Sequence, residues 1–206
     1  GKTSLLRIIG ALTPFCQGDV RIDGKSIQEF QFKHPFGFVF QEPNLLPWRS
    51  VLENVRLPAE ILRENDVMTR VAAMIELVNL NGFEHAYPHE LSGGMKTRVA
   101  IARALSIHPS IFLMDEPFGS LDEITRDAMN FELLRIWNEI KTTVIFVTHS
   151  IAEAVLLSDT VIVLTSRPAM VKEIRPIDLA RPRTKQMRRT SQFVKIIEDL
   201  RERLLS

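Results

Sequence analysis

Hydrophobic and polar positions follow different rhythms along this chain. Short apolar runs of strand length fall at Phe36–Phe40, Ile111–Asp115, Thr143–Val147 and Thr160–Leu164. They are rich in β-branched and aromatic residues, as strands are. Between them lie longer stretches with helical spacing. Thr3–Leu12 carries Leu5, Leu6, Ile8, Ile9 and Leu12 and is stopped by Pro14. Ile124–Lys141 and Ile151–Leu157 continue the alternation. Asp19–Asp23 and Lys25–Ile27 bracket Asp23-Gly24, a hairpin signal. Strands alternating with helices predict a mostly parallel sheet covered by helices on both faces. The expected fold class is therefore α/β.

Asn44 to His108 differs in character. Val51–Leu57, Val67–Leu80 and Thr97–Ile107 have helical periodicity, and Val67, Val71, Met74, Ile75 and Val78 share one stripe. This reads as an α-helical subdomain, about residues 44–108, inserted between strands. A main domain of residues 1–175 and a tail of 176–206 follow from the change at Pro168, Pro176 and Pro182. Arg181, Arg183, Lys185, Arg188 and Arg189 make the tail basic, read as a solvated linker. Ser191 is the expected cap of a last amphipathic helix with Phe193, Ile196, Ile197, Leu200 and Leu204. That helix is expected to pack on its own domain or on a partner.

Composition narrows the function classes. The chain has 206 residues, 45% hydrophobic and 25% charged, with net charge +1. That balance gives no global electrostatic case for nucleic acid or a membrane surface. The apolar runs are far shorter than the ~20 residues of a membrane span. One cysteine, Cys16, excludes an internal disulfide and suits a reducing compartment. It reads as a small buried residue.

The chemistry sits at predicted strand ends, where parallel sheets bind ligands. Ile111–Asp115 is an apolar strand closing on a carboxylate that can hold Mg²⁺. Glu116 follows, placed to orient and deprotonate an attacking water. His149 lies just past Thr143–Thr148, positioned to donate to a terminal phosphate. Gln41 ends the Phe36–Phe40 strand, where it can touch Mg²⁺ or the water and relay that state into the helical subdomain. Gly1-Lys2-Thr3-Ser4 matches the last part of a phosphate loop, G-x-x-x-x-G-K-[ST], opening an apolar helix. Lys2 would meet the β- and γ-phosphates and the Thr3 hydroxyl would meet Mg²⁺. Ser92-Gly93-Gly94 opens another helix, making a second anion site. Two phosphate half-sites in one chain suggest a nucleotide shared head to tail between two chains.

Taken together these residues resemble the ATP-binding subunits of ABC transporters. On that resemblance Gly1–Ser4 looks like the end of Walker A and Gln41 like the Q-loop. Leu91–Met95 looks like the LSGGQ signature, with Met95 in place of glutamine. Ile111–Glu116 looks like Walker B with its catalytic glutamate, Ser120–Asp122 like the D-loop and His149 like the switch histidine. A closer resemblance, on Phe40–Trp48 and Asp115–Glu123, is to the importer group for nitrate, sulfonate, taurine and related small molecules. It implies ATP and Mg²⁺ as cofactors, with Asp122 at the nucleotide. It also implies a second ATP-binding subunit, a membrane permease docked near Pro47, Trp48 and Arg49, and indirectly an extracytoplasmic substrate-binding protein. The place implied is the cytoplasmic face of the membrane, and nucleic acid is not an expected partner. The front of the phosphate loop and the upstream adenine-stacking aromatic do not occur ahead of Gly1 in these 206 residues. Without that loop and the strand before it, residues 1–206 by themselves are expected to be an inactive, aggregation-prone fragment. The competing readings are a catalytically dead or structural ABC chain, and a non-transport ABC ATPase.

Overall fold

The computed structural model describes residues 1–33 and 35–205. In chain order the elements are α1 (Lys2–Ile9), β1 (Arg21–Ile22), β2 (Lys25–Ser26), α2 (Ile27–Lys33) and β3 (Phe36–Val39). Then come α3 (Val51–Leu62), α4 (Met68–Leu77), α5 (Gly93–Leu105), β4 (Ile111–Asp115) and α6 (Glu123–Ile140). The chain closes with β5 (Thr143–Val147), α7 (Ile151–Leu157), β6 (Thr160–Leu164), β7 (Val171–Pro176) and α8 (Ser191–Leu205).

A parallel sheet of order β3-β4-β5 forms the centre. All five residues of β4 are buried. Successive side chains of a strand point to opposite faces, and β4 divides its residues accordingly. Phe112 and Met114 join the cluster built from Val51, Val55, Val71, Val99 and Ile101 of the helical insertion and Met129 of α6. Ile111 and Leu113 face the other way, towards Leu6 of α1 and Phe30 of α2. Burial on both faces is why β4 reads as a continuous apolar run. Asp115 shares the face of Ile111 and Leu113, the α1 side. Its Cα partner across the ladder is Val147 of β5.

The helical subdomain forms as its periodicity predicts. Val71, Ile75 and Val78 are each within 1% of full burial. Helix α3 starts at a capping box: Ser50 Oγ accepts from Glu53 N, and Glu53 Oε2 accepts from Ser50 N at 2.8 Å. It runs through Pro58 to Leu62, beyond the expected end at Leu57. Burial of Val51, Val55 and Ala59 on one face holds the helix together across the missing Pro58 N–H. Helix α5 serves two layers. It packs on α3 and α4, and Gly37 of β3 lies so close that a Cβ there would sit 2.8 Å from the Ala104 carbonyl.

Several expectations are revised. Thr160–Leu164 is a strand, but it pairs antiparallel with β7 in a separate two-stranded sheet, with a bulge at Val163/Leu164. Among the described residues no strand is bonded to the outer edge of β5, and α1 packs against β5 instead. The strand Val171–Pro176 and helix α2 are elements the sequence pattern does not predict. Cys16 is exposed, since the segment after α1 packs little. The last helix is capped by Thr190 rather than Ser191: Phe193 N donates to Thr190 Oγ1 at 3.3 Å.

The basic tail is not a solvated linker. Arg183 is 5% exposed, and its Nη1 donates to the carbonyls of Val155, Leu156 and Ser158 at the end of α7. Arg181 pairs with Asp159 at 2.9 Å and lies 4.0 Å over the Trp137 ring. Arg188 pairs with Asp127 of α6. Buried Phe193, Ile196 and Leu200 of α8 complete a core with Val155, Leu156 and Val163. The tail thus straps α6 to α7, and its helix packs on its own domain.

Candidate functional site

Helix α1 opens at Gly1, and its first intrahelical bond is Leu5 N to the Gly1 carbonyl at 2.9 Å. The N–H groups of Lys2, Thr3 and Ser4 therefore have no intrahelical acceptor, which makes this end favourable for an anion. Lys2 and Ser4 are exposed. Thr3 Oγ1 donates to Asp115 Oδ1 at 2.9 Å, across 112 residues of sequence. Asp115 is 5% exposed at the end of the fully buried β4. A hydroxyl and a carboxylate oxygen side by side are hard donors suited to Mg²⁺. Among the described residues no group of three or more His, Cys, Asp or Glu could hold a metal unaided. The pair fits an ion completed by phosphate and water oxygens.

Glu116 leaves the strand in an unusual conformation. Its φ is 45°, the left-handed region, which costs a non-glycine residue about 1–3 kcal/mol. Its N–H bonds the Val147 carbonyl at 2.9 Å, and its own carbonyl accepts from Gly119 N at 3.0 Å. That turn directs the carboxylate to His149, with Glu116 Oε2 lying 3.0 Å from His149 Nδ1. The His149 side chain is 61% exposed and Glu116 24%, so the pair is open on one side. Gln41 closes on the same turn. A Cβ built on Gly119 would lie 3.7 Å from both Gln41 Nε2 and Glu116 Oε2. Gln41, Glu116 and His149 thus meet around one glycine, beside Thr3 and Asp115.

Ser92 caps α5, with its Oγ accepting from Met95 N at 3.3 Å. Ser92 and Gly93 are exposed and Gly94 is buried. Gly94 is needed for close approach: a Cβ there would lie 3.0 Å from Thr125 Cγ2 of α6. Among the described residues no hydrogen bond links Ser92, Gly93 or Gly94 to Thr3, Asp115, Glu116 or His149. Asp122 caps α6, its Oδ1 accepting from Thr125 N at 2.9 Å. Hydrogen bonds from the Thr125 side chain and then its backbone N–H hold the Asp122 carboxyl below the usual range.

Two residues beside this site carry no motif signal. Arg126 donates from Nη2 to the Leu121 carbonyl at 2.8 Å and from Nε to the Phe118 carbonyl at 3.2 Å. It grips the loop after Glu116. Glu153 of α7 is 7% exposed and accepts from Thr148 Oγ1 at 2.6 Å. Its signal was only position, four residues past His149 on a helix start.

The Pro47–Arg49 segment lies apart from the phosphate site. Trp48 is 70% exposed. Arg49 Nη1 bonds Glu60 Oε2 at 2.6 Å. Arg103 of α5 donates to the carbonyls of Pro43 and Asn44 at 2.7 and 2.8 Å, tying the stretch after Gln41 to the helix that Ser92 caps.

A sequence profile described as ABC transporter matches residues 1–119. The chain is 51% identical over 185 residues to an ABC transporter ATP-binding protein of Methanocaldococcus jannaschii, covering 89% of this chain and 68% of that protein. It is 43% identical over 206 residues to the aliphatic sulfonates import ATP-binding protein of Bacillus subtilis, covering all of this chain and 77% of that one. The fold matches an ATP-binding cassette solved as a dimer in a post-hydrolysis state with ADP and Pi. The TM-score is 0.71 at 31% identity, over 87% of this chain and 82% of that one.

Proposed function

The chain belongs to the ABC transporter family of ATP-hydrolysing, ATP-binding subunits, and from that premise we propose that it powers the import of a small molecule of the sulfonate, taurine or nitrate type. The observation that carries the reading is the convergence of Thr3, Asp115, Glu116, Gln41 and His149, drawn from separate elements, at one end of the parallel sheet.

The roles follow from placement. Lys2 and the free N–H groups of α1 hold the phosphates, with Ser4 beside them. Thr3 and Asp115 would hold Mg²⁺, which would supply charge neutralisation at the phosphates. Glu116 orients the attacking water and takes its proton, and His149 steadies that carboxylate and donates to the terminal phosphate. Gln41 senses the same site and passes its state to the loop leading to the helical subdomain. Exposed Ser92 and Gly93, with buried Gly94 behind them, bind the nucleotide of a second subunit, head to tail, with Asp122 at the junction. Exposed Trp48, flanked by Pro47 and Arg49, is the anchor for a permease. The subunit then sits on the cytoplasmic face of the membrane, and an extracytoplasmic binding protein supplies specificity.

The test is nucleotide-dependent association. It uses a polypeptide in which a strand and a G-x-x-x-x segment complete the phosphate loop ahead of Gly1. Glu116→Gln should trap ATP and accumulate a dimer in size-exclusion chromatography, and Gly93→Asp in the same background should abolish it. A Glu116→Gln chain that binds ATP yet stays monomeric at every concentration would defeat the shared-nucleotide reading.

A further inference from the structure

We infer that Glu153 is a positioning residue for hydrolysis, acting through His149; the inference rests on the ATPase reading above. His149 lies on a turn between β5 and α7, and its neighbours on both sides are tied to Glu153. Thr148 Oγ1 donates to Glu153 Oε2 at 2.6 Å. Ser150 N donates to Thr148 Oγ1 at 2.9 Å. Glu153 N donates to Ser150 Oγ at 3.3 Å. These bonds close a ring, Thr148–Ser150–Glu153, with His149 at its apex. The imidazole itself is largely exposed and lies against Glu116. The ring therefore fixes the backbone from which the imidazole reaches the glutamate.

Helix capping alone does not explain the side chain: Ser150 Oγ already accepts from Glu153 N at the start of α7. Glu153 is 7% exposed, yet its Oε1 is buried without a partner among the described residues. Burying such an oxygen unpaired costs free energy, so the bond that Oε2 makes to Thr148 is held at a cost. Glu153 lines a small cavity together with Glu116, Gly119, Arg126, Thr148 and His149. The cationic or protonatable donors on that wall are Arg126, which grips the loop after Glu116, and His149. Glu153 thus sits behind the machinery, where the bond its Oε2 accepts from Thr148 sets how far the imidazole sits from Glu116.

A double-mutant cycle in Mg-ATP hydrolysis tests this, using the polypeptide with the completed phosphate loop. Displacing a reacting group by ~1 Å costs up to about 100-fold, so Glu153→Ala should lower kcat by about 10- to 100-fold. KM for ATP should hold, because the phosphate cradle is untouched. In a His149→Ala background the same substitution should add almost no further loss. Glu153→Gln, which still accepts from Thr148, should recover most of the rate. Should Glu153→Ala fail to fold, Thr148→Val cuts the same ring from the other side and carries the same expectation. Losses that multiply independently with His149→Ala, or that appear in KM with kcat intact, overturn the inference while leaving the ATPase reading standing. A parent that does not hydrolyse ATP overturns the ATPase reading, and the inference with it.

Discussion

Replacing Asn54 should unfasten the loop that carries Trp48. Asn54 is fully buried on α3. Its Oδ1 accepts from Leu46 N at 2.8 Å, and its Nδ2 reaches the carbonyls of Leu46, Arg49 and Ser50 at 3.2, 2.9 and 3.0 Å. One side chain thus holds the loop from Leu46 to Ser50 in shape. In Asn54→Ala the Ser50 carbonyl keeps its bond from Asn54 N and the Leu46 carbonyl keeps one from Arg49 N at 3.1 Å, but Leu46 N and Arg49 O lose theirs. Each such group costs about 1–3 kcal/mol when water cannot replace the bond. Leu46 and Arg49 are half-buried, so water recovers part, and the net loss should be about 3 kcal/mol. For a chain of this size that lowers Tm by roughly 6–12 °C. Asn54→Asp is the sharper probe. It keeps the acceptor for Leu46 N but turns a carboxylate towards three carbonyls. That environment favours the protonated acid, so the folded-state pKa lies above the unfolded one. Whatever stability the acid form retains is then lost as pH rises through that raised value. Thermal unfolding by circular dichroism from acid to neutral pH is the assay. A Tm within about 1 °C of the parent for either variant, or an aspartate variant that gains on the alanine one as pH rises, would refute the reasoning.

Other consequences follow from single contacts. Gly37→Ala should destabilise the fold by about 1–3 kcal/mol in chemical denaturation, because its Cβ meets the Ala104 carbonyl of α5, which cannot easily retreat. The Arg49 and Arg56 guanidiniums hold the Glu60 carboxyl below the usual carboxylate range. Its contribution is present above the unfolded pKa and lost as pH falls through the lowered folded value, so Glu60→Gln should flatten the acid limb of the pH–stability curve. Arg183→Met leaves the carbonyls of Val155, Leu156 and Ser158 without their shared donor, and amide exchange should quicken first in α7 and α8 rather than in β4.

Much of this architecture is legible in the residues, for identifiable reasons. Ile111–Asp115 is buried on both faces, so no polar position interrupts its apolar run. Asp23-Gly24 adopts positive φ at both residues, 51° and 76°, as its hairpin turn requires. The motif residues Asp115, Glu116 and His149 lie where strand ends place them. The misses have a common physical origin. Val171–Pro176 carries Lys172, Glu173 and Arg175 because much of the ribbon is exposed, so burial never imprinted an alternation. The basic tail looked solvated because sequence cannot show that Arg183 would meet the carbonyl end of α7, or that Arg188 would find Asp127 more than sixty residues away. Glu153 was invisible as a site residue because its role depends on a buried turn and not on a spacing.

The most direct test of the central claim is steady-state Mg-ATP hydrolysis with and without Glu116. It is measured on residues 1–206 preceded by a completed phosphate loop. The account predicts turnover by the completed polypeptide and a loss of at least ~10²-fold in Glu116→Gln, the scale of a removed general base. Hydrolysis by the completed polypeptide that survives Glu116→Gln, or no hydrolysis by any form even with a permease, would contradict it.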